Sequence, residues 1–249
     1  MNYKIFTRIA ASVFLFLAVK CNAVALSSIE QVSFLAGLPK PPFIMNKKGE
    51  GLQIDIIRDA LFTQNMIPQF QYIPLSRSIL NYQQSNVDAV SIVPSNYKHP
   101  KMFVSEPYIT YQDVAVSLVE RELKINSLDD LSGLSVVAYQ RARKFLGEDY
   151  NYKVAQSSEY REIADQLKQI DMLFTGQAEV IILDINIFNY FSTRHNELVY
   201  QNSFNVHYIF GTQNYSAGFK SKELKEIFDK GISTIKKNGV YEKILAKYL

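Results

Sequence analysis

Short apolar runs alternate with amphipathic segments along most of the chain. Residues 32–38 (VSFLAGL) read as a buried strand. In GLQIDIIRDALF, residues 51–62, Leu52, Ile56, Ile57, Ala60 and Leu61 fall on one helical face. FQYI reads as a strand, Arg77 to Gln84 as a helix and VDAVSIV as a buried strand. This β-α-β-α-β order predicts a mixed sheet with helices on both faces. VAVSLVERE, residues 114–122, reads as a strand that runs into charge. Ser127 and Asp130 fit a capping box for a one-turn helix, Gly133 ends it, and LSVVAY is a strand. The pattern predicts a helix over residues 159–174 (EYREIADQLKQIDMLF), closed by Gly176, and then the strand EVIIL. Near the end, KELKEIFDKGISTIKKNG puts Leu224, Ile227, Phe228, Ile232 and Ile235 on one face. Ser221 stands before it as a cap and Gly239 after it, and VYEKILAKYL is a final short helix. No tandem repeat, low-complexity tract or loose linker interrupts the order.

The first 25 residues differ from the rest. Lys4 and Arg8 precede IAASVFLFLAV, an apolar run of 11 residues, and CNAVA offers small residues for cleavage after Ala23 or Ala25. A positive end, a short apolar core and a small-residue exit describe a secretory signal peptide. The run is shorter than the about 20 residues a membrane span needs. An acylated Cys21 is disfavoured by the bulky Lys20 before it. Cleavage removes Lys4, Arg8 and Lys20 and no acid, which leaves 24 basic against 24 acidic residues. The mature chain is therefore neutral overall, with no global field for nucleic acid. It also loses its one cysteine, so neither a disulfide nor a thiolate enters the fold or the chemistry. A composition 47% hydrophobic and 20% charged is that of a globular protein.

The three histidines, His99, His195 and His207, lie far apart and fit no metal-binding spacing. There is no GxSxG elbow, P-loop or Gly-rich dinucleotide turn. The sequence does not read as a catalyst, and no cofactor or metal is expected.

In order, PPFIMNKKGEGLQIDII, IPLSRSILNYQQSNVDAV and VSEPYITYQDVAVSLV, then SLDDLSGLSVVAYQ, LKQIDMLFTGQAEVIILD and YSAGFKSKELKEIFDKGISTIKKNGVYEKILAKYL, resemble the bacterial extracellular solute-binding proteins of family 3. The resemblance covers about residues 32 to 249 and rests on six weak motifs in the right order. It implies an α/β fold of the type II periplasmic binding protein kind, two lobes with two crossing hinge strands near residues 114–120 and 208–213. Residues 1–25 would be the signal peptide, 26–118 with 211–249 the first lobe, and 119–210 the second. The implied product is a monomeric periplasmic receptor of a Gram-negative cell. It would close on a small polar solute, an amino acid or a related organic anion, and serve an inner-membrane ABC permease. An exported enzyme on the same fold, like cyclohexadienyl dehydratase, and a receptor for a membrane sensor stand as alternatives.

A cleft for a small polar solute needs an aromatic or apolar wall, a few fixed donors and one or two charges. By resemblance Phe43, after two prolines, lines the first lobe's side, with core packing as its other reading. Tyr108 and Tyr111 follow the Ser-Glu-Pro turn and offer flat faces with hydroxyls. Arg77 opens a helix, where the dipole does not favour a cation, so a ligand anion or a nearby acid is expected to hold it. Lys98 stands where relatives keep the arginine that clamps the ligand's carboxylate, a point charge in place of a planar fork. Arg143 falls where relatives have a Gly-Thr pair opening a helix that faces the ligand. Asp184, at the end of a strand, stands where relatives receive the ligand's ammonium. Glu179 matches a structural turn of the family.

Overall fold

A computed structural model describes residues 30–45, 49–193 and 204–249. The expected signal peptide and His195 lie outside the described residues.

The first part of the chain runs β1 (Glu30–Ala36), α1 (Leu52–Phe62), β2 (Met66–Tyr72), α2 (Leu75–Gln84) and β3 (Ala89–Pro94). The short β4 (Phe103–Val104) leads into β5 (Ile109–Leu118). Then come β6 (Ser135–Tyr139), α3 (Ala142–Phe145), α4 (Gly147–Val154), β7 (Glu159–Ile163), α5 (Gln166–Phe174), β8 (Val180–Asp184) and α6 (Ile185–Ser192). The chain closes with β9 (Phe204–His207), β10 (Thr212–Phe219), α7 (Lys222–Lys237) and α8 (Val240–Tyr248).

Hydrogen bonding orders the main sheet path β2-β1-β3-β10-β5-β8-β6-β7, with β4 on β10 and β9 on β5. β1 lies parallel between β2 and β3, and β6 lies parallel between β7 and β8. These parallel cores carry continuous apolar runs such as VIIL because both faces are covered. Strand β5 joins the two: its first residues pair with β10, and its later ones pair with β8 and β9. A hydroxyl–carboxylate clip recurs on each side. The Ser33 N–H and hydroxyl donate to Asp88, whose own N–H donates back to the Ser33 oxygen. Ser135 and Glu179 repeat the exchange in the second half, so Glu179 has a structural place.

Two expectations need correction. Residues 159–163 form an edge strand parallel to β6, and the helix begins only at Gln166. The helix start is fixed by Asp165, whose carboxylate accepts from the N–H groups of Leu167 and Lys168. The strand expected over 114–122 begins earlier, at Ile109, and ends at Leu118. Val119–Arg121 is a 3-10 turn, because Glu120 and Arg121 face water and Glu122 takes a left-handed conformation (φ 50°).

The C-terminal helices pack against α1. Asp55 is buried on α1 and accepts from Lys247 (2.8 Å) and from the Tyr248 hydroxyl (2.7 Å), with Arg58 as an ion-pair partner. Burial works to raise the Asp55 carboxyl, and the bonds from Lys247, Tyr248 and Arg58 outweigh it, so its pKa falls below the usual value. A depressed carboxylate contributes stability that is present above its unfolded pKa and lost as pH falls through the folded one. Asp55→Asn is therefore expected to cost about 2 kcal/mol at pH 7. The loss should shrink when urea melts are repeated near pH 3; an equal loss at both pH values would count against the charged role.

Candidate functional site

The loop after β1 closes on itself. Lys40 and Ile44 exchange backbone hydrogen bonds (2.8 and 3.0 Å) around the cis Pro41–Pro42 pair. This turn sends Phe43 inward, where its ring stacks on Tyr111 of β5 with centroids 3.9 Å apart and planes 15° from parallel. The Lys40 ammonium lies 4.4 Å from the centre of the Tyr111 ring and 5.7 Å from that of Phe43, a cation–π arrangement. Tyr215 of β10 meets Tyr111 edge-on at 5.1 Å.

Two carboxylates stand at the same place. Asp113 of β5 and Asp184 of β8 are directly opposite each other in the antiparallel pair, and both are buried. Like charges so placed destabilise a sheet unless something offsets them. The Asp113 carboxylate accepts from the Tyr139 hydroxyl (3.1 Å). One Asp184 oxygen accepts from the Gln112 N–H (2.8 Å). The other accepts from Asn186 (2.9 Å) and Ile187 (3.3 Å), which makes Asp184 the N-cap of α6. Burial pushes the Asp184 carboxyl up to about 7, and the Asp113 charge adds to the rise; the Gln112 and Asn186 N–H groups and Lys40 act the other way. Asp113 is raised by burial too, against the Tyr139 bond and the Lys40 field. Lys40 is lowered by burial, with both acids pulling it back up. The Tyr111 hydroxyl is buried without a hydrogen-bond partner, and its phenol is held well above the ordinary value, chiefly by burial.

A second group lies beyond Tyr139. Arg141, Arg143 and Lys144 line a cavity of about 420 Å³ with Tyr160 and Glu162. Arg141 adopts a left-handed conformation (φ 68°), and the N–H groups of Arg141 and Arg143 both donate to Glu162, at 2.7 and 2.9 Å. Successive N–H groups around a left-handed residue form an anion-binding nest; here a carboxylate of the chain itself fills it. The Tyr160 hydroxyl also donates to Glu162, and the Arg143 guanidinium lies 4.3 Å over the Tyr160 ring.

Among the residues picked from the sequence, the structure brings Phe43, Tyr111 and Asp184 together in the first group, and Arg143 lines the second. Tyr108 sits in the core, where its hydroxyl donates to the Ser91 carbonyl and its ring packs edge-on against Phe228. Arg77 is exposed on α2. Lys98 is exposed in another place, a cavity of about 360 Å³ shared with Tyr97, His99, Phe103, Lys222 and Lys225. Lys40, Asp113, Tyr139, Tyr215 and Glu162 enter only with the tertiary structure. A lysine between two prolines and an acid in the middle of strand β5 are the signals that mark the first two. Among the described residues no group of three or more His, Cys, Asp or Glu is placed to hold a metal ion.

The buried charges stand where β5 joins the two parallel cores, at the carboxyl end of β8, a place where open α/β sheets take ligands. Residues 35–249 match the model of the bacterial extracellular solute-binding proteins, family 3, and the chain belongs to this family. Solved structures show the same fold. A histidine-bound substrate-binding protein of an ABC uptake transporter from Streptococcus pneumoniae is 15% identical with a TM-score of 0.70, over 88% of this chain and 92% of that one. A histidine kinase sensor domain with similarity to periplasmic binding proteins has a TM-score of 0.70 at 16% identity, over 89% of this chain and 97% of that one. An ancestral amino acid-binding protein, a precursor of cyclohexadienyl dehydratase, has a TM-score of 0.66 at 18% identity, over 88% and 94%. No curated protein sequence matches the chain. The fold is therefore the two-lobe, type II periplasmic binding protein, a mixed α/β fold on a curled sheet.

Proposed function

We propose that the protein is an exported, non-enzymatic receptor. It captures a small polar solute between its lobes and delivers it to an ABC importer in the inner membrane. On this reading residues 26–118 with 211–249 form one lobe, 119–210 the other, and the first 25 residues direct export to the periplasm. The observation that carries the reading is the buried Asp113 and Asp184 with the half-buried Lys40 beside the Phe43–Tyr111 stack. It combines an aromatic face, fixed donors and charges of both signs. Similar structures include histidine- and arginine-bound proteins, which supports a small amino-acid-like or organic-acid solute.

A thermal-shift panel of amino acids and organic acids tests it. A solute at 100 times its Kd stabilises by about 2.7 kcal/mol, which for a chain of this size raises Tm by about 5–10 °C. A flat panel, repeated by calorimetry, would refute the receptor reading.

A second reading, an exported dehydratase, has one observation on its side: a buried carboxyl poised near neutrality, Asp184, beside a lysine. Turnover of prephenate or arogenate by the purified protein would favour it over the receptor.

A further inference from the structure

The acids of this region are engaged by the chain itself. Both Asp184 oxygens accept backbone N–H groups. Asp113 accepts from Tyr139. Glu162 spans the N–H groups of Arg141 and Arg143 with one oxygen each. The cations are less committed: the Arg143 and Lys144 side chains are exposed at the 420 Å³ cavity. Lys40 projects its ammonium over the Tyr111 ring, where its field reaches both Asp113 and Asp184. The chain thus supplies its own ammonium to the place where two buried carboxylates would draw one from a ligand. A second ammonium there meets Lys40 as a like charge in a site with little water, and a carboxylate meets it as a counter-ion.

We propose that Lys40 is the resident cation of this site, so that the solute is an organic anion without an amino group, a 2-oxo acid, 2-hydroxy acid or dicarboxylate. This rests on the receptor reading and names its substrate class. Lys40 offsets part of the charge of the Asp113–Asp184 pair. The ligand's carboxylate is held by Lys40 or by the Arg141–Lys144 rim.

Calorimetry on matched pairs tests it: L-glutamate against 2-oxoglutarate, L-aspartate against malate, L-phenylalanine against phenylpyruvate. In at least one pair the amino-free member is expected to bind at least tenfold more tightly. Lys40→Met, which keeps the aliphatic stem on Tyr111, is expected to weaken that anion at least tenfold and to narrow or reverse the preference. Amino acids binding as tightly as their partners would overturn the assignment of Lys40 while leaving the receptor reading intact. Silence across all pairs would overturn it too, and silence also across the wider thermal-shift panel would take the receptor reading with it. If Lys40→Met does not fold by circular dichroism, the wild-type order within each pair still decides.

Discussion

Gly51→Ala is expected to lower the free energy of unfolding by about 3 kcal/mol or more and to weaken solute binding. Two penalties add. Gly51 has φ 130° and ψ 160°, a region essentially closed to residues with a side chain. A Cβ there would also stand 2.4 Å from the Phe43 carbonyl oxygen and 2.8 Å from the Ile44 Cα, backbone atoms of the loop that turns Phe43 under Tyr111. That loop is tied down by the Leu52 and Gln53 N–H groups, which donate to the Pro42 and Phe43 carbonyls. Relief of the clash must therefore move the stacked ring. Gly133→Ala is the control. Its φ of 76° is also left-handed, but nothing lies within 4 Å of its would-be Cβ, so it carries the conformational penalty of about 1 kcal/mol alone. Urea unfolding is expected to show the larger loss at Gly51; equal losses would show that neither its more restricted backbone nor the contact with Phe43 adds to the cost.

Asp184→Asn is expected to flatten the pH dependence of stability between about pH 4 and pH 7. The Asp184 carboxyl is raised from 3.8 to about 7 in the folded protein. Between those values the folded state holds a proton that the unfolded chain releases. Its contribution is therefore fully present below the unfolded pKa and is lost as pH rises through the folded one. The span corresponds to about 4 kcal/mol, at 1.36 kcal/mol per pH unit. Asparagine does not titrate, so the slope disappears with it. The amide keeps one acceptor for the α6 cap but turns a donor toward the Gln112 N–H, a cost of about 1–2 kcal/mol that does not vary with pH. Chemical melts at half-unit steps should show the variant weaker than wild type near pH 4 and gaining on it steadily to pH 8. Parallel curves would show that Asp184 ionises freely in the folded state.

Much of this molecule follows from order along the chain. The alternation of apolar runs with amphipathic segments gives the β-α-β units. Ser221 and Asp130 mark their turns by local hydrogen bonding, which spacing alone specifies. Helix α7 keeps its apolar stripe, with Phe228, Ile232 and Ile235 buried. The family, too, is carried by motifs met in sequence order, and it points to Phe43 and Asp184, while Tyr111 is marked by its place after the Ser-Glu-Pro turn. Edge strands are read less well: residues 159–163 hydrogen-bond on one side to β6, and their partner is remote in sequence.

What the tertiary structure alone decided is the charge arrangement. Asp113 and Asp184 are 71 positions apart and become neighbours only through antiparallel register. Lys40 reaches them from a third element, through a loop closed by its own backbone bonds with Ile44. Glu162 meets the Arg141 and Arg143 N–H groups because β7 lies parallel beside β6. Sequence spacing governs contacts within a helix turn or along one strand. Which distant charges share a water-poor place is set by sheet order and register; burial there shifts Asp184 toward neutrality, Asp113 adds to the rise and Lys40 opposes it.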